Sequence, residues 1–140
     1  MPDKAERLRA LHKGPAILVL PNAWDAATAR IFEAEGFPAI ATTSAGVAAA
    51  LGYPDGGIVP TREMIEAVAR IVRAVQVPVS ADIEHAYGAT PDQVAEALVG
   101  FGALGVRSFL PQLAWPYDQE TVERLIGEVA PLVDGAPSPV

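Results

Sequence analysis

Hydrophobic residues along the chain form short continuous runs, separated by longer stretches in which apolar positions recur every three or four residues. Each run has the length of a strand buried on both faces of a parallel sheet. The pattern predicts four strands, at residues 16–20, 38–43, 77–83 and 106–110.

The stretches between these runs carry the period of amphipathic helices. The clearest example starts at Thr61 after Pro60 and carries Met64, Val68 and Ile71 on one stripe. Thr90 followed by proline has the order of an N-cap and a first helical residue, which starts another helix. The predicted helices cover residues 3–12, 23–35, 44–51, 61–75, 91–103 and about 118–129.

Strand and helix therefore alternate along the chain, which predicts an α/β fold with parallel strands and right-handed crossovers. About four βα units fit either a small doubly wound sheet or half of a (β/α)8 barrel. A complete barrel needs roughly 200 residues or more, and this chain has 140. We therefore expect one domain over residues 1–140 that cannot close a barrel alone.

Composition narrows the possible partners and location. The formal net charge is −7, which argues against nucleic acid and anionic membranes, because both attract cationic surfaces. The chain has no cysteine, so disulfides, thiolate zinc sites and cysteine nucleophiles are excluded. The charged N-terminal stretch is unlike a secretory signal, and no apolar run reaches the roughly 20 residues of a membrane helix. We expect a soluble, cytoplasmic protein.

Two carboxylates mark the end of the third predicted strand. In parallel α/β folds the functional site lies at the carboxyl ends of the strands. Asp82 and Glu84 are two residues apart, so on a strand they share one face. Neighbouring carboxylates repel each other, and a cation between them offsets that repulsion. Mg²⁺ needs only one or two carboxylate ligands. The pair predicts a Mg²⁺ site; the alternative is a helix cap beside a solvated acid.

Polar residues also follow the other predicted strands. Thr42, Thr43 and Ser44 precede a helix whose N–H groups suit a carboxylate or phosphate, although a plain N-cap explains them equally. Asp55 lies in the loop G-Y-P-D-G-G, where an Asx turn is the alternative to a functional role. His85 fits either an acid or base near neutral pH or a solvated loop residue. Further polar residues at strand ends are Asn22, Asp25 and Gln112.

Two segments carry a resemblance to a known family. Residues 20–56 read L-P-N-A-W-D-A-A-T-A-R-I-F-E-A-E-G-F-P-A-I-A-T-T-S-A-G-V-A-A-A-L-G-Y-P-D-G, and residues 77–88 read V-P-V-S-A-D-I-E-H-A-Y-G. In the order and spacing of these motifs, the chain resembles the isocitrate lyase/phosphoenolpyruvate mutase superfamily from about residue 11 to residue 103. Its lyase-like members are the most similar.

The resemblance implies part of a (β/α)8 barrel, dependence on Mg²⁺ with Mn²⁺ as a substitute, and a small di- or tricarboxylate or oxo-acid substrate. Family members cleave or form C–C or P–C bonds through an enolate-like intermediate, whose charge a cation neutralises. The implied residues are Asp82 and Glu84 for the metal, Asp55 and Glu84 for catalysis, and Thr43, Ser44 and Ala45 for the substrate carboxylate. Open sheet edges favour a homo-oligomer.

Departures from the family pattern matter as well. The family motif ends A-G-Y-G or T-G-Y-G, whereas this chain reads H-A-Y-G, so Ala86 replaces a glycine. That change would crowd the loop if the position has a positive φ. The acidic pair expected after the next strand is replaced by V-R-S-F-L-P-Q, and the cysteine-bearing loop of true isocitrate lyases is absent. Isocitrate lyase activity itself is therefore not expected.

Residues 106–140 resemble a later βα unit of the family, while residues 1–105 match its N-terminal units. We therefore expect a shortened member that lacks middle and final units. The primary hypothesis is a Mg²⁺-dependent lyase or mutase, similar to 2-methylisocitrate lyase, that acts on small oxo-acids. The alternative is a catalytically silent paralogue that oligomerises or binds a small acid.

Overall fold

Three short parallel strands form the sheet in this computed structural model, which describes residues 3–111 and 119–135. The strands are β1 (Asn22–Ala23), β2 (Ile40–Thr42) and β3 (Val79–Ser80), in the order β1-β2-β3. Asn22 pairs with Ala41, and Ile40 pairs with Val79. The chain divides into two compact units, Met1–Glu84 and His85–Val140. The predicted α/β class with parallel strands is confirmed.

Four helices accompany the sheet in the first unit: α1 (Lys4–His12), α2 (Ala26–Ala34), α3 (Ser44–Leu51) and α4 (Thr61–Ala74). Asp25 caps α2 through a capping box with Thr28, an arrangement that satisfies N–H groups at the start of a helix. Thr43 caps α3, and Gly52 ends it in the left-handed conformation. The predicted helical segments of this unit are therefore confirmed, with ends shifted by up to three residues.

The core of the first unit lies between the sheet and its helices. The largest fully buried side chains there are Ile40, Met64, Ile71, Val47, Val68, Val75 and Pro78. Three of them come from α4, whose apolar stripe packs against α2 and α3. Full burial of one such aliphatic side chain contributes about 1.5–3 kcal/mol. The 3.6-residue apolar period of α4 therefore accounts for much of this core.

Three long-range hydrogen bonds fix the approach to β3. Lys4 Nζ donates to the carbonyl oxygen of Val75 at 2.8 Å, which ties α1 to the residue after α4. Glu33 Oε1, from α2, accepts from the N–H groups of Gln76 at 2.6 Å and Val77 at 3.0 Å. These N–H groups precede the strand, so Glu33 sets where the chain enters the sheet.

The second unit is helical in its described residues. It contains α5 (Pro91–Gly102), α6 (Gln119–Arg124), a π-helical turn (Leu125–Val129) and α7 (Ala130–Asp134). Phe101 and Val129 are buried where α5 packs against the π turn and α7. Pro131 explains the π turn. In a regular α-helix its ring would clash with the carbonyl oxygen four residues earlier, and the π turn avoids that clash. The predicted Thr90 N-cap of α5 is confirmed.

Two predicted strands are wrong. Residues 16–20 and 106–110 have no regular secondary structure, and Ile17 is 92% and Val19 58% exposed. An apolar run becomes a strand only where a neighbouring strand accepts its hydrogen bonds. Pairing in the first unit begins at Pro21, whose carbonyl oxygen accepts from the N–H of Ala41. In the second unit, the described residues provide no strand to pair with residues 106–110.

None of the described helices combines the length and apolar character that a membrane crossing requires.

Candidate functional site

The ends of β2 and β3 bring together three of the polar residues singled out in the sequence. Thr42 is the last residue of β2, and Ser44 is the first residue of α3. Asp82 follows β3 by two residues. Because β2 and β3 are adjacent and parallel, their carboxyl ends lie at the same edge of the sheet.

Asp82 is held by hydrogen bonds from the end of β2 and the start of α3. Its Oδ2 accepts from Ser44 Oγ at 2.6 Å and from the Ser44 N–H at 3.2 Å. Its own N–H donates to Thr42 Oγ1 at 3.0 Å. Thr42 and Ser44 are both buried. Main chain and carboxylate of Asp82 are thus both anchored to the neighbouring segment.

These contacts also keep Asp82 ionised. Partial burial by itself works to raise its pKa. The hydrogen bonds from the Ser44 hydroxyl and from the backbone N–H groups of Glu84 and Ser44 outweigh that effect and hold the pKa of Asp82 below its ordinary value. Hydrogen bonds to a carboxylate stabilise its charged form. Near neutral pH, Asp82 is therefore a carboxylate at a solvent-accessible position.

Glu84 lies in a turn beyond the strand. β3 ends at Ser80, and Glu84 has a φ of +47°, so the extended backbone that would put Asp82 and Glu84 on one face is missing. The prediction of a shared strand face is wrong for this reason. The Glu84 N–H donates to Asp82 Oδ1 at 3.1 Å. Glu84 therefore contacts Asp82 through its backbone, and its own carboxylate is exposed.

The N-terminus of α3 combines a cap with further N–H donors. Thr43 Oγ1 accepts from the N–H of Gly46 at 3.4 Å, so Thr43 is an N-cap, as the alternative interpretation expected. A Cβ at Gly46 would lie 2.6 Å from Thr43 Cγ2 and 3.0 Å from Trp24 Cβ. A glycine is therefore required beside this cap. The N–H of Ala45 donates no hydrogen bond to any acceptor among the described residues.

The remaining candidates are not joined to Asp82 by hydrogen bonds within the described part of the chain. Asp55 is exposed, and its Oδ1 accepts from the N–H of Gly56 at 2.9 Å. Asp25 caps α2, and the N–H and hydroxyl of Thr28 hold the pKa of Asp25 below its ordinary value. Gln112 lies outside the described residues.

In the second unit, the stretch from His85 to Gly88 is set by its backbone conformation. Ala86 has a φ of +59° and Tyr87 one of +56°, a region that costs residues with a Cβ about 1–2 kcal/mol. Ala86 replaces a family glycine, and the sequence predicts crowding there if the residue has a positive φ. The structure has that positive φ. The His85 and Tyr87 rings lie 5.7 Å apart, and His85 is exposed.

Two contacts of the site were missed in the sequence. In the sequence, Thr42 is one of several hydroxyl-bearing residues, and nothing there indicates that its Oγ1 accepts a hydrogen bond from the Asp82 N–H. The family resemblance places Ser44 on an external acid, whereas both of its donors reach Asp82. A threonine or serine at the end of a strand that lies next to an aspartate-bearing strand is the available signal. It becomes usable only when the order of the strands is known.

A divalent cation is compatible with Asp82. Within residues 3–111 and 119–135, no group of three or more histidine, cysteine, aspartate or glutamate side chains is gathered for a metal. Mg²⁺ does not require such a cluster, because it keeps several waters beside one or two carboxylates. An ionised carboxylate has about four lone-pair positions, and the contacts from Ser44 and Glu84 use three. One position on Oδ1 is left for a cation.

Comparison with known proteins gives a consistent set of relatives. A family model described as phosphoenolpyruvate phosphomutase matches residues 8–109. Oxaloacetate decarboxylase from Rhodopseudomonas palustris (strain TIE-1) is 30% identical over 145 residues, covering 98% of this chain and 50% of the decarboxylase. 2-Methylisocitrate lyase from Halalkalibacterium halodurans is 38% identical over 86 residues, covering 61% of this chain and 29% of the lyase.

A solved structure extends the similarity to the fold. A protein from Burkholderia cenocepacia J2315, provisionally named a lyase/mutase, superimposes with a TM-score of 0.78 at 34% sequence identity. The superposition covers 97% of this chain and 51% of the other. This chain thus spans about half the length of that protein and of the decarboxylase, and less than a third of the lyase.

Proposed function

The chain belongs to the phosphoenolpyruvate mutase/isocitrate lyase superfamily, and on that premise we propose that it is a Mg²⁺-dependent lyase or mutase. The proposed reaction breaks or forms a C–C or P–C bond of a small oxo-acid through an enolate-like intermediate. Support comes from relatives named as lyases of 2-methylisocitrate and 2,3-dimethylmalate and as a decarboxylase of oxaloacetate.

We propose that the fold is part of a (β/α)8 barrel within one domain that associates into a homo-oligomer. The parallel order β1-β2-β3 with intervening helices supports this, as does a superposition over nearly the whole chain on a protein about twice as long. A cytoplasmic location remains part of the same proposal.

The observation that carries the proposed function is the anchored, ionised Asp82 at the end of β3. Its lowered pKa and its free lone pair suit a hard cation,. We propose Asp82 as the metal ligand, with Glu84 as the second acidic residue beside it. When bound, the cation neutralises negative charge that develops on the oxygens of the oxo-acid.

The remaining residues receive proposed roles around that carboxylate. The N-terminus of α3 attracts the acid's carboxylate, since the N–H of Ala45 and the helix dipole both favour an anion there. Thr43 borders this position and, as the N-cap, keeps the first turn of α3 in place. Asp55 and Glu84 are proposed as the groups that move protons, and both are exposed to solvent.

Calorimetric titration with Mg²⁺, alone and in the presence of oxalate as an enolate mimic, tests this proposal. We expect the wild-type protein to bind Mg²⁺ and the Asp82→Ala variant to lose measurable binding, because its main carboxylate ligand is gone. Glu96→Ala is the matched control: it removes an exposed carboxylate of α5 and should leave the affinity for Mg²⁺ unchanged.

Equal Mg²⁺ affinity in wild type and Asp82→Ala would sink the site assignment. Turnover is then measured with oxaloacetate, 2-methylisocitrate, 2,3-dimethylmalate and phosphoenolpyruvate. Mg²⁺ and oxalate binding without turnover of any of these acids would replace the lyase proposal with a module that binds small acids.

A further inference from the structure

Ser44 directs both of its hydrogen-bond donors at the protein's own carboxylate. The hydroxyl and the backbone N–H reach the same oxygen, Asp82 Oδ2, at 2.6 and 3.2 Å. Ser44 is only 7% exposed, so water competes little for these donors. A residue predicted to hold an external acid is thus engaged with a residue predicted to hold the metal.

Thr42 fixes the main chain of the same aspartate. Its Oγ1 accepts the Asp82 N–H at 3.0 Å, and Thr42 is 4% exposed. Thr42 and Ser44 lie on either side of the N-cap Thr43, and each reaches Asp82 about 40 residues further along the chain. One hydroxyl restrains the backbone and the other restrains the carboxylate, so neither the φ/ψ angles nor the rotamer of Asp82 is left free.

We propose that Thr42 and Ser44 are positioning residues, which orient Asp82 for a divalent cation. Ser44 then acts on the cation through Asp82 and does not contact the acid ligand, which is left to Thr43 and the N–H of Ala45. This inference rests on the proposed function, and it revises the role that the sequence assigned to Ser44.

The physical basis is the way outer-shell hydrogen bonds control a metal ligand. Partners that orient a ligand typically change metal affinity about 10–100-fold when removed. Ser44 occupies two of the lone-pair positions of Asp82, which leaves a fixed direction for the cation on Oδ1. Without the Ser44 hydroxyl, the carboxylate can rotate and must be ordered again when a cation binds.

The test measures the dissociation constant for Mg²⁺ alone, by calorimetry, in single variants of the full chain. Ser44→Ala should weaken Mg²⁺ binding about 10–100-fold, and Ser44→Thr, which keeps a hydroxyl, should restore it to within about threefold of wild type. Thr42→Val removes the acceptor without changing the shape of the side chain and should weaken Mg²⁺ binding in the same direction, with Thr42→Ser as its rescue.

Thr90→Ala is the matched control for a purely structural effect. It removes the hydroxyl that caps α5 by accepting from the N–H of Gln93, a hydroxyl with no proposed role in binding. It should lower the stability of the protein toward urea and leave the Mg²⁺ affinity within twofold of wild type. Urea unfolding of Ser44→Ala, Asp82→Ala and the double variant supplies a readout that needs no metal, in which the two changes should not be additive.

The outcomes separate the inference from the proposed function. Unchanged Mg²⁺ affinity in Ser44→Ala, while Asp82→Ala abolishes binding, overturns the positioning role and leaves the proposed function standing. Additive stability changes in the double variant, or equal losses of Mg²⁺ affinity in Thr90→Ala and Ser44→Ala, also overturn it. Absence of Mg²⁺ binding by the wild-type protein is the separate failure of the proposed function, and the inference falls with it.

Discussion

The end of β3 and the stretch that follows it in sequence are held in contrasting ways. Asp82 makes four hydrogen bonds, to Thr42, Ser44 and Glu84. The stretch 85–88 is defined instead by two positive φ angles and by a glycine in tight contact with α5. Polar groups determine the first region and backbone sterics the second, so they should respond to different substitutions.

The largest effect is expected from Gly88→Ala, which would break the second region. A Cβ there would lie 2.5 Å from the backbone N of Val94 and 2.8 Å from the backbone C of Gln93. Backbone atoms of a helix cannot give way as a flexible side chain does, so we expect a loss of about 2–3 kcal/mol in the free energy of unfolding. Urea denaturation measures it.

Gly102→Ala is the control for that substitution. A Cβ at this last residue of α5 meets nothing within 4 Å, and alanine is the better helix former by about 0.5–1 kcal/mol. Gly102→Ala should therefore leave stability unchanged or raise it. Similar losses at Gly88 and Gly102 would contradict the close contact described for Gly88.

An intermediate effect is expected from Ser44→Ala. The pH dependence of its stability tests the hydrogen bonds that hold the first region. Asp82 has a lowered pKa in the folded protein, so the stabilisation from its hydrogen bonds is present above its unfolded pKa of about 3.9. It is lost as the pH falls through the folded value. Because Asp82 is solvent-accessible, we expect Ser44→Ala to lose about 1 kcal/mol at pH 7.

Urea denaturation of wild type and Ser44→Ala between pH 7 and pH 2 checks this expectation. The difference between the two proteins should shrink at the acidic end, where Asp82 becomes protonated in both. A difference that stays constant over this range would show that Ser44 contributes through packing and not through the charge of Asp82.

The smallest effect is expected from Ala86→Gly, which relaxes the second region. Glycine removes about 1–2 kcal/mol of left-handed strain at φ +59°,, but it also loses a buried methyl group and adds unfolded-state entropy. We expect a net stabilisation below about 1 kcal/mol, measured by urea denaturation. Ala97→Gly, in the helical backbone of α5, should destabilise; the same sign at both positions would refute the strain at Ala86.

Local signals were sufficient for the helices. Thr43 and Thr90 are caps whose hydroxyls serve N–H groups three residues on, and α4 is a long amphipathic segment. These features depend on neighbours within four residues and can be read directly. The sterically special position of Ala86 was accessible as well, because a glycine is usual there in the family pattern.

Long-range pairing is what the sequence could not supply. Residues 16–20 are as apolar as residues 38–43, yet only the latter lie between two strands. The contact between Ser44 and Asp82 joins residues 38 positions apart, and it depends on β2 and β3 being neighbours. Because β3 ends at Ser80, Asp82 and Glu84 lie beyond the strand and do not share one of its faces. Each of these features requires the order and length of the strands.

The exposed segment at residues 16–20 has a consequence for handling the protein in concentrated solution. Its five apolar residues carry no charge, and Ile17 and Val19 face solvent, which is the composition of a segment prone to intermolecular β-stacking. Pro15 and Pro21 bracket it, and neither can donate a backbone hydrogen bond. The bracketed window is shorter than the roughly six or seven residues typical of fibril-forming segments. We expect these prolines to act as gatekeepers that limit fibril growth from this segment.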